Sequence, residues 1–123
     1  MNITILSLAA LFFLYILSYA CSYVFKIYSN KFYRIFHFAG GYLIYVFINS
    51  LVKNWLLSLF GVIVIGILWE IYERVFWKYI SRRKRDRPQK KDTTDDLFMD
   101  FLGGISAFVL TDLVQIVLKL LSP

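Results

Sequence analysis

Seven acidic or imidazole side chains lie beside or near the ends of long apolar stretches of this 123-residue chain: His37, Glu70, Glu73, Asp92, Asp95, Asp96 and Asp100. An eighth, Asp112, lies apart from them, deeper in the last apolar stretch. Carboxylate oxygens are the preferred ligands of hard divalent cations, and an imidazole serves as a ligand or as a general acid or base. Carboxylates crowded together in a low dielectric repel one another, so they must share protons or bind a cation. These residue types therefore indicate a polar site surrounded by apolar segments of the chain.

The spacing of these residues indicates that they converge. Glu70 and Glu73 are three residues apart and Asp96 and Asp100 are four apart, so each pair occupies one face of a helix. The segments "HFAGG" and "DFLGG" each place two glycines about one turn after a polar residue. Small residues let membrane helices approach closely; here they are Gly40, Gly41, Gly103, Gly104 and Ala107. We expect the second and fourth helices to pack on them, which brings His37 towards Asp100.

The elements that must position this site are membrane helices. The chain is 59% apolar with a mean hydropathy of +0.63, whereas soluble domains are about 45–50% apolar. Four apolar segments are long enough to cross a bilayer, at about residues 3–25, 32–52, 55–77 and 97–121. Backbone polar groups in lipid must be satisfied within each segment, so the spans are helices. The sequence predicts an all-α, polytopic membrane protein that forms a single domain over residues 1–123.

The basic residues predict the orientation of the spans. Most of them lie in the connection 78–96, and Lys26, Lys31 and Arg34 lie in or just after the first connection. Connections rich in Lys and Arg face the cytoplasm. We therefore expect a multi-pass protein of the cell membrane with both termini outside the cytoplasm. The histidine and the carboxylates would then share one depth, about 5–10 Å inside the cytoplasmic boundary at 1.5 Å of rise per residue.

The net charge of +6 is explained by this topology. A basic loop at the cytoplasmic surface also attracts anionic lipid head groups, so membrane lipids are the expected partners. The basic run lacks the interleaved aromatic residues on which bases stack, and this argues against nucleic acid as a partner.

Structural explanations compete with the functional one. Asp92 and Asp95 fit an N-cap with an acidic third position, and Asp96 fits a first-turn charge favoured by the helix dipole. Glu70 and Glu73 could instead form salt bridges with Arg34, Arg74 or Lys78. Asp112 lies deeper in the last span without an evident partner, and Lys119 could snorkel near it.

The segments "FYRIFHFAGGYLIY", "LWEIYE" and "DTTDDLFMDFLGG" resemble the motif set of the VanZ-like membrane proteins, most closely the YjdF-type branch. The resemblance covers roughly residues 32–110, and Tyr33 and Glu73 depart from the pattern. The motif residues are Arg34, His37, Gly40, Trp69, Glu70, Glu73, Asp92, Thr93, Asp96, Asp100 and Gly104. The resemblance implies a small helical bundle and an association with glycopeptide (teicoplanin) resistance, but no established reaction.

The expected function is that of a metal-assisted enzyme acting on a phospholipid or polyprenyl-phosphate head group by phosphoryl transfer or hydrolysis. The expected metal ligands are Glu70, Asp92, Asp96 and Asp100, for Mg²⁺ or Mn²⁺ in preference to Zn²⁺. The expected catalytic groups are His37, Glu70, Glu73 and Asp100, and the expected substrate contacts are Arg34, Arg74 and Trp69. Two alternatives stay open: a proton- or cation-coupled carrier, and a non-catalytic lipid-binding accessory protein.

Overall fold

A computed structural model describes residues 2–27, 29–81 and 90–122, without the side chains at positions 30, 81 and 90–92. The predicted all-α fold class is confirmed, since every regular element in this part of the chain is helical. The α-helices are α1 (Ile3–Tyr23), α2 (Asn30–Val52), α3 (Trp55–Phe76), α4 (Lys90–Phe108) and α5 (Val114–Leu121). A π-helical turn, Trp77–Ser81, continues α3, and a second, Val109–Leu113, joins α4 to α5.

Four helical segments are long and apolar enough to cross a membrane: Ile3–Tyr23, Lys31–Val52, Trp55–Ile80 and Thr93–Leu121. Each overlaps one of the predicted spans, and the fourth runs through α4, the π-helical turn and α5. The connections between successive spans lie at the two ends of the bundle. We call the end with Lys26 and Lys31 the loop end, and the end with Lys53 and Asn54 the turn end.

The predicted loop 78–96 is too long at both of its boundaries. Helical structure continues to Ser81 and resumes at Lys90. Asp92 and Asp95 therefore both lie inside α4, so the predicted N-cap role of Asp92 is wrong, because the helix begins two residues before it. The helix extends past the apolar segment because its polar first turns can lie outside the hydrocarbon and pair with residues of α2. The basic residues Arg82, Arg83, Lys84, Arg85 and Arg87 lie outside the described residues.

Local signals end the helices at the turn end. Asn54 caps α3 by accepting a hydrogen bond from the backbone N–H of Leu57 at 3.0 Å, as an N-cap side chain should. Lys53 closes α2 in the left-handed conformation, with φ of 51°. At the start of the chain, Asn2 caps α1 through the backbone N–H of Thr4 at 2.8 Å. These caps fix the short α2–α3 connection and the start of α1.

Helix α2 is the centre of the bundle, because it packs against α1, α3 and, most extensively, α4. The predicted packing of α2 on α4 through glycine is confirmed. A Cβ atom on Gly41 would overlap the backbone carbonyl of Asp100, and one on Gly103 would overlap that of Phe38. Gly40, by contrast, faces Leu14 of α1, with ordinary spacing. The two helices touch at the level of Asp100.

The interior of the bundle is narrow and its exterior is apolar. Tyr45, Ser58, Val62 and Ala107 are fully buried, while large side chains such as Phe12 face outwards. This arrangement is expected where helices associate by close packing of small residues and lipid covers the outside.

Candidate functional site

His37 of α2 lies between two carboxylates of α4. Its Nδ1 atom is 3.1 Å from Oδ1 of Asp100, and its Nε2 atom is 3.3 Å from Oδ2 of Asp96. All three side chains are largely buried. The i, i+4 spacing of the two aspartates places both on the face that meets α2, and contact at Gly41 holds that face close. The predicted approach of His37 to Asp100 is confirmed.

Glu70 reaches the same place from α3. It is only 4% exposed, and its Oε1 atom has no hydrogen-bond partner among the described residues. One turn earlier, Gly66 leaves the space into which α4 fits, since a Cβ atom there would lie 2.9 Å from Oδ2 of Asp100. A buried carboxylate oxygen without a partner is costly, so this atom marks the position where a ligand would be stabilised.

Three side chains can offer ligand atoms to one ion. Atoms of His37, Glu70 and Asp96 all lie within 4.8 Å of one another. Asp100 contacts the other ring nitrogen of His37, and in metal sites such a carboxylate fixes the tautomer of a ligating histidine. We call His37, Glu70, Asp96 and Asp100 the His–carboxylate cluster. It provides two carboxylates and one imidazole for a cation, with a fourth residue orienting the imidazole.

The predicted site residues Glu73 and Trp69 contact each other. The indole N–H of Trp69 donates to Oε1 of Glu73 at 2.8 Å. These residues are four apart on α3, so they lie one above the other on a single face. Trp69 was predicted as a substrate contact, but here it orients the carboxylate of Glu73. Glu73 lies about one helical turn beyond both Trp69 and Glu70.

The predicted arginines lie at the loop end of the cluster. Arg34 pairs with Asp95 at 2.7 Å, and both side chains are about one-third exposed. Arg74 donates to the hydroxyl of Thr93 at 3.1 Å. Among the described residues, neither Glu70 nor Glu73 forms the salt bridge that the structural explanation required. The side chain of Asp92, a predicted metal ligand, lies outside the described residues.

A second polar cluster lies in the half of the bundle nearer the turn end, and the sequence did not reveal it. Asp112 accepts hydrogen bonds from the hydroxyl of Tyr45, from Nδ2 of Asn49 at 3.0 Å and from the hydroxyl of Thr111 at 3.2 Å. The sequence showed no evident partner for Asp112, whereas the structure provides these donors. Gly41, Tyr45 and Asn49 follow one another at steps of four residues, so the glycine face of α2 could have identified these partners.

Apolar packing separates the two clusters. The ring of Tyr45 packs with Val62 and Ala107 in the hydrophobic core, and Gly104 lies against Val62. Asp112 itself lies in the π-helical turn Val109–Leu113, a distortion often found at functional sites. The two clusters are therefore distinct sites of the bundle.

Comparison with known proteins places most of the chain in a family of membrane proteins. The model of a family described as "Predicted membrane protein (DUF2238)" matches residues 2–116. No curated protein matches the chain, and no solved structure matches it. The match covers all four candidate spans except the last few residues of the fourth.

Proposed function

This chain belongs to the DUF2238 family of membrane proteins, and we propose that it is a metal-assisted enzyme acting on the head group of a membrane phospholipid or polyprenyl phosphate. The observation that carries the proposal is the buried Oε1 atom of Glu70, which has no hydrogen-bond partner among the described residues. It belongs to a carboxylate within reach of ligand atoms of His37 and Asp96. A divalent cation bound by all three would compensate the cost of burying that oxygen.

The donor set favours Mn²⁺. Carboxylate oxygens suit Mg²⁺ and Mn²⁺, whereas imidazole suits later transition metals such as Zn²⁺. Mn²⁺ combines an oxygen preference with higher affinity for a nitrogen ligand than Mg²⁺ has. Three protein ligands leave further coordination positions for substrate oxygens or water, as catalytic metal sites require. Asp92, whose side chain lies outside the described residues, keeps its predicted role as a further ligand.

Each residue of the cluster then has a separate role. His37 ligates through Nε2, and Asp100 holds the ring by accepting the Nδ1–H proton. Because His37 is committed to the ion, Glu73 is the better candidate for the general acid or base, with Trp69 orienting it. A cation bound here would polarise a phosphoryl oxygen of the substrate. In this assignment Asp100 positions His37 and does not itself bind the ion. This removes Asp100 from the metal ligands expected from the sequence.

The arginines at the loop end support a phosphorylated substrate. Arg34 and Arg74 contact Asp95 and Thr93, which lie just before Asp96 on α4. A guanidinium group binds phosphate through paired hydrogen bonds. If the loop end faces the cytoplasm, as the basic residues predict, both arginines would lie between the His–carboxylate cluster and the lipid phosphates of the cytoplasmic surface. The resemblance to VanZ-like proteins supports a role in the cell envelope and in glycopeptide resistance.

The carrier alternative draws its support from Asp112, an intramembrane acid of the kind found in ion paths. The geometry favours the enzyme, because Asp112 is satisfied by donors from Tyr45, Asn49 and Thr111. A carrier would also need a polar route from Asp112 to the His–carboxylate cluster, where Val62 and Ala107 are packed.

The decisive experiment measures cation binding and turnover on the same samples. The protein in lipid nanodiscs should bind Mn²⁺, detected by electron paramagnetic resonance, and release phosphate from phosphatidic acid or polyprenyl diphosphate in an Mn²⁺-dependent reaction. Glu70→Gln and Asp96→Asn should abolish both, while Asp112→Asn, the matched control, should retain both. Binding without turnover of either lipid would favour the non-catalytic lipid-binding alternative, and absence of binding would overturn the metal site.

A further inference from the structure

A groove lies between α1 and α3 on the apolar surface of the bundle. It has a volume of about 520 Å³ and is lined by Phe12, Tyr15, Ile65, Leu68, Trp69 and Tyr72. The groove exists because α1 and α3 each pack on α2 and meet one another through large aromatic side chains. Since it opens along two candidate membrane spans, the medium that reaches it is lipid hydrocarbon.

The groove ends at the depth of the His–carboxylate cluster. At that end the hydroxyl oxygens of Tyr15 and Tyr72 lie 2.9 Å apart, and the Tyr15 ring contacts Trp69 edge-on at 5.8 Å. Trp69 lines the groove but donates its N–H to Glu73, and the next residue along α3 is Glu70. A single side chain therefore connects the apolar groove to the polar site.

The size of the groove restricts what can fill it. Ile65 and Tyr72 are seven residues apart, or about 10 Å along the helix axis at 1.5 Å per residue. A partner helix is about 10–12 Å wide with its side chains, and a cylinder of that width and length exceeds the volume of the groove. An extended hydrocarbon chain is much narrower than a helix and can lie along this length.

We propose that the groove binds one acyl chain of a glycerophospholipid and thereby holds its head group at the His–carboxylate cluster. The inference rests on the proposed function, because it identifies the substrate as a lipid that enters sideways from the bilayer. An unbranched acyl chain is slimmer than a polyprenyl chain, which carries regular methyl branches, and it therefore suits a groove of this volume better. The phenol hydroxyls of Tyr15 and Tyr72 would lie beside the ester groups, where the chain becomes polar.

Photolabelling tests this assignment. The protein is reconstituted in phosphatidylcholine vesicles containing a trace of phosphatidylglycerol with a diazirine on one acyl chain, irradiated and analysed by peptide mass spectrometry. Labelling should be severalfold higher at Phe12, Ile65 and Leu68 than at Ile67, which is exposed on α3 but does not line the groove. Excess unlabelled phosphatidylglycerol should compete for the labelling.

Variants that fill the groove supply the control. Leu68→Trp should reduce labelling at Phe12 and Ile65 severalfold, and Ile65→Phe should reduce labelling at Phe12 to a smaller extent. Ile67→Trp adds the same bulk outside the groove and should leave the pattern unchanged. Thermal melting of each variant verifies that the bundle is intact before labelling is compared.

The outcomes separate this inference from the proposed function, because Mn²⁺ binding is measured on the same samples. Even labelling of all lipid-facing positions, unaffected by Leu68→Trp, would mean ordinary surrounding lipid and would overturn the groove assignment even where Mn²⁺ binds. Displacement of the label by polyprenyl phosphate but not by phosphatidylglycerol would overturn the choice of an acyl chain. Specific groove labelling without Mn²⁺ binding would retain the chain site and overturn the metal-assisted function.

Discussion

The imidazole of His37 contacts Asp100 through one ring nitrogen, at 3.1 Å, and Asp96 through the other, at 3.3 Å. Both aspartates come from one helix, yet only Asp96 belongs with Glu70 to the group of possible cation ligands. In the proposed metal site the two carboxylates therefore have different tasks: Asp96 is a ligand of the cation, and Asp100 holds the imidazole. This difference can be measured.

Asp100→Asn should weaken Mn²⁺ binding without abolishing it. An asparagine can still contact Nδ1 of His37, but it holds the ring orientation and basicity less well, and loss of such a partner typically lowers metal affinity about 10–100-fold. Asp96→Asn removes a ligand and should abolish binding under the same conditions. Titration of nanodisc samples followed by electron paramagnetic resonance gives the three affinities. Equal losses in both variants would assign both aspartates as ligands.

Mn²⁺ should stabilise the folded protein. An ion that binds only the native state at a hundredfold excess over its dissociation constant adds about 2.7 kcal/mol to the free energy of unfolding. The Tm in detergent should therefore rise with Mn²⁺ and fall on chelation. The shift should disappear in Glu70→Gln and persist in Asp112→Asn, which is remote from the cluster. Equal shifts in all variants would indicate screening of surface charge instead of a specific site.

Gly41→Ala should destabilise the bundle and impair the site. The new Cβ atom would overlap the backbone carbonyl of Asp100, which cannot rotate away as a side chain could, so α2 and α4 must separate. Overpacking costs about 1–3 kcal/mol, and this substitution belongs at the upper end. Loss of Mn²⁺ binding should accompany the lower Tm, because His37 and Asp100 lie on the separated helices.

Gly40→Ala is the matched control for that substitution. Its Cβ atom would lie 3.9 Å from Leu14, at ordinary contact distance, and alanine is more favourable than glycine within a helix by about 0.8–1.0 kcal/mol. The Tm should stay the same or rise, with Mn²⁺ binding intact. If both alanine variants behave alike, the close contact between α2 and α4 is not what positions the site.

The hydropathy pattern predicted the helices, and the small-residue pattern predicted the contact between His37 and Asp100. Both patterns consist of features that repeat along the chain: long apolar segments, and a pair of glycines after a polar residue. The start of α4 was not predictable in this way. Hydropathy changes at Leu97, but the helix begins at Lys90, and its polar turns are stabilised by contacts such as that between Arg34 and Asp95. Such contacts join residues distant in sequence and leave no periodic signal.

The membrane orientation is a prediction that the fold does not test. Cysteines replacing Lys31 at the loop end and Lys53 at the turn end, in a Cys21→Ser background, should react with impermeant maleimides from opposite sides of the membrane. The positive-inside rule predicts that Lys53→Cys reacts in intact cells and Lys31→Cys only after permeabilisation. Labelling at Lys31→Cys in intact cells would reverse the orientation and place the His–carboxylate cluster at the outer surface.

The hydrogen bond from Tyr45 to Asp112 should contribute to stability and not to cation binding. Tyr45 is fully buried and its hydroxyl donates to the carboxylate. Tyr45→Phe should therefore cost at least about 0.6 kcal/mol, the average for hydrogen bonds between membrane helices, and at most about 1.7 kcal/mol, the largest value found for them. The loss should be smaller when Asp112→Asn is already present, because a double-mutant cycle isolates their interaction. Tyr79→Phe removes the hydroxyl of an exposed tyrosine and should leave the Tm unchanged. Mn²⁺ affinity should be the same in all of these variants, since Val62 and Ala107 separate the two clusters. A loss of affinity in Tyr45→Phe would show that the clusters are coupled and would favour the carrier.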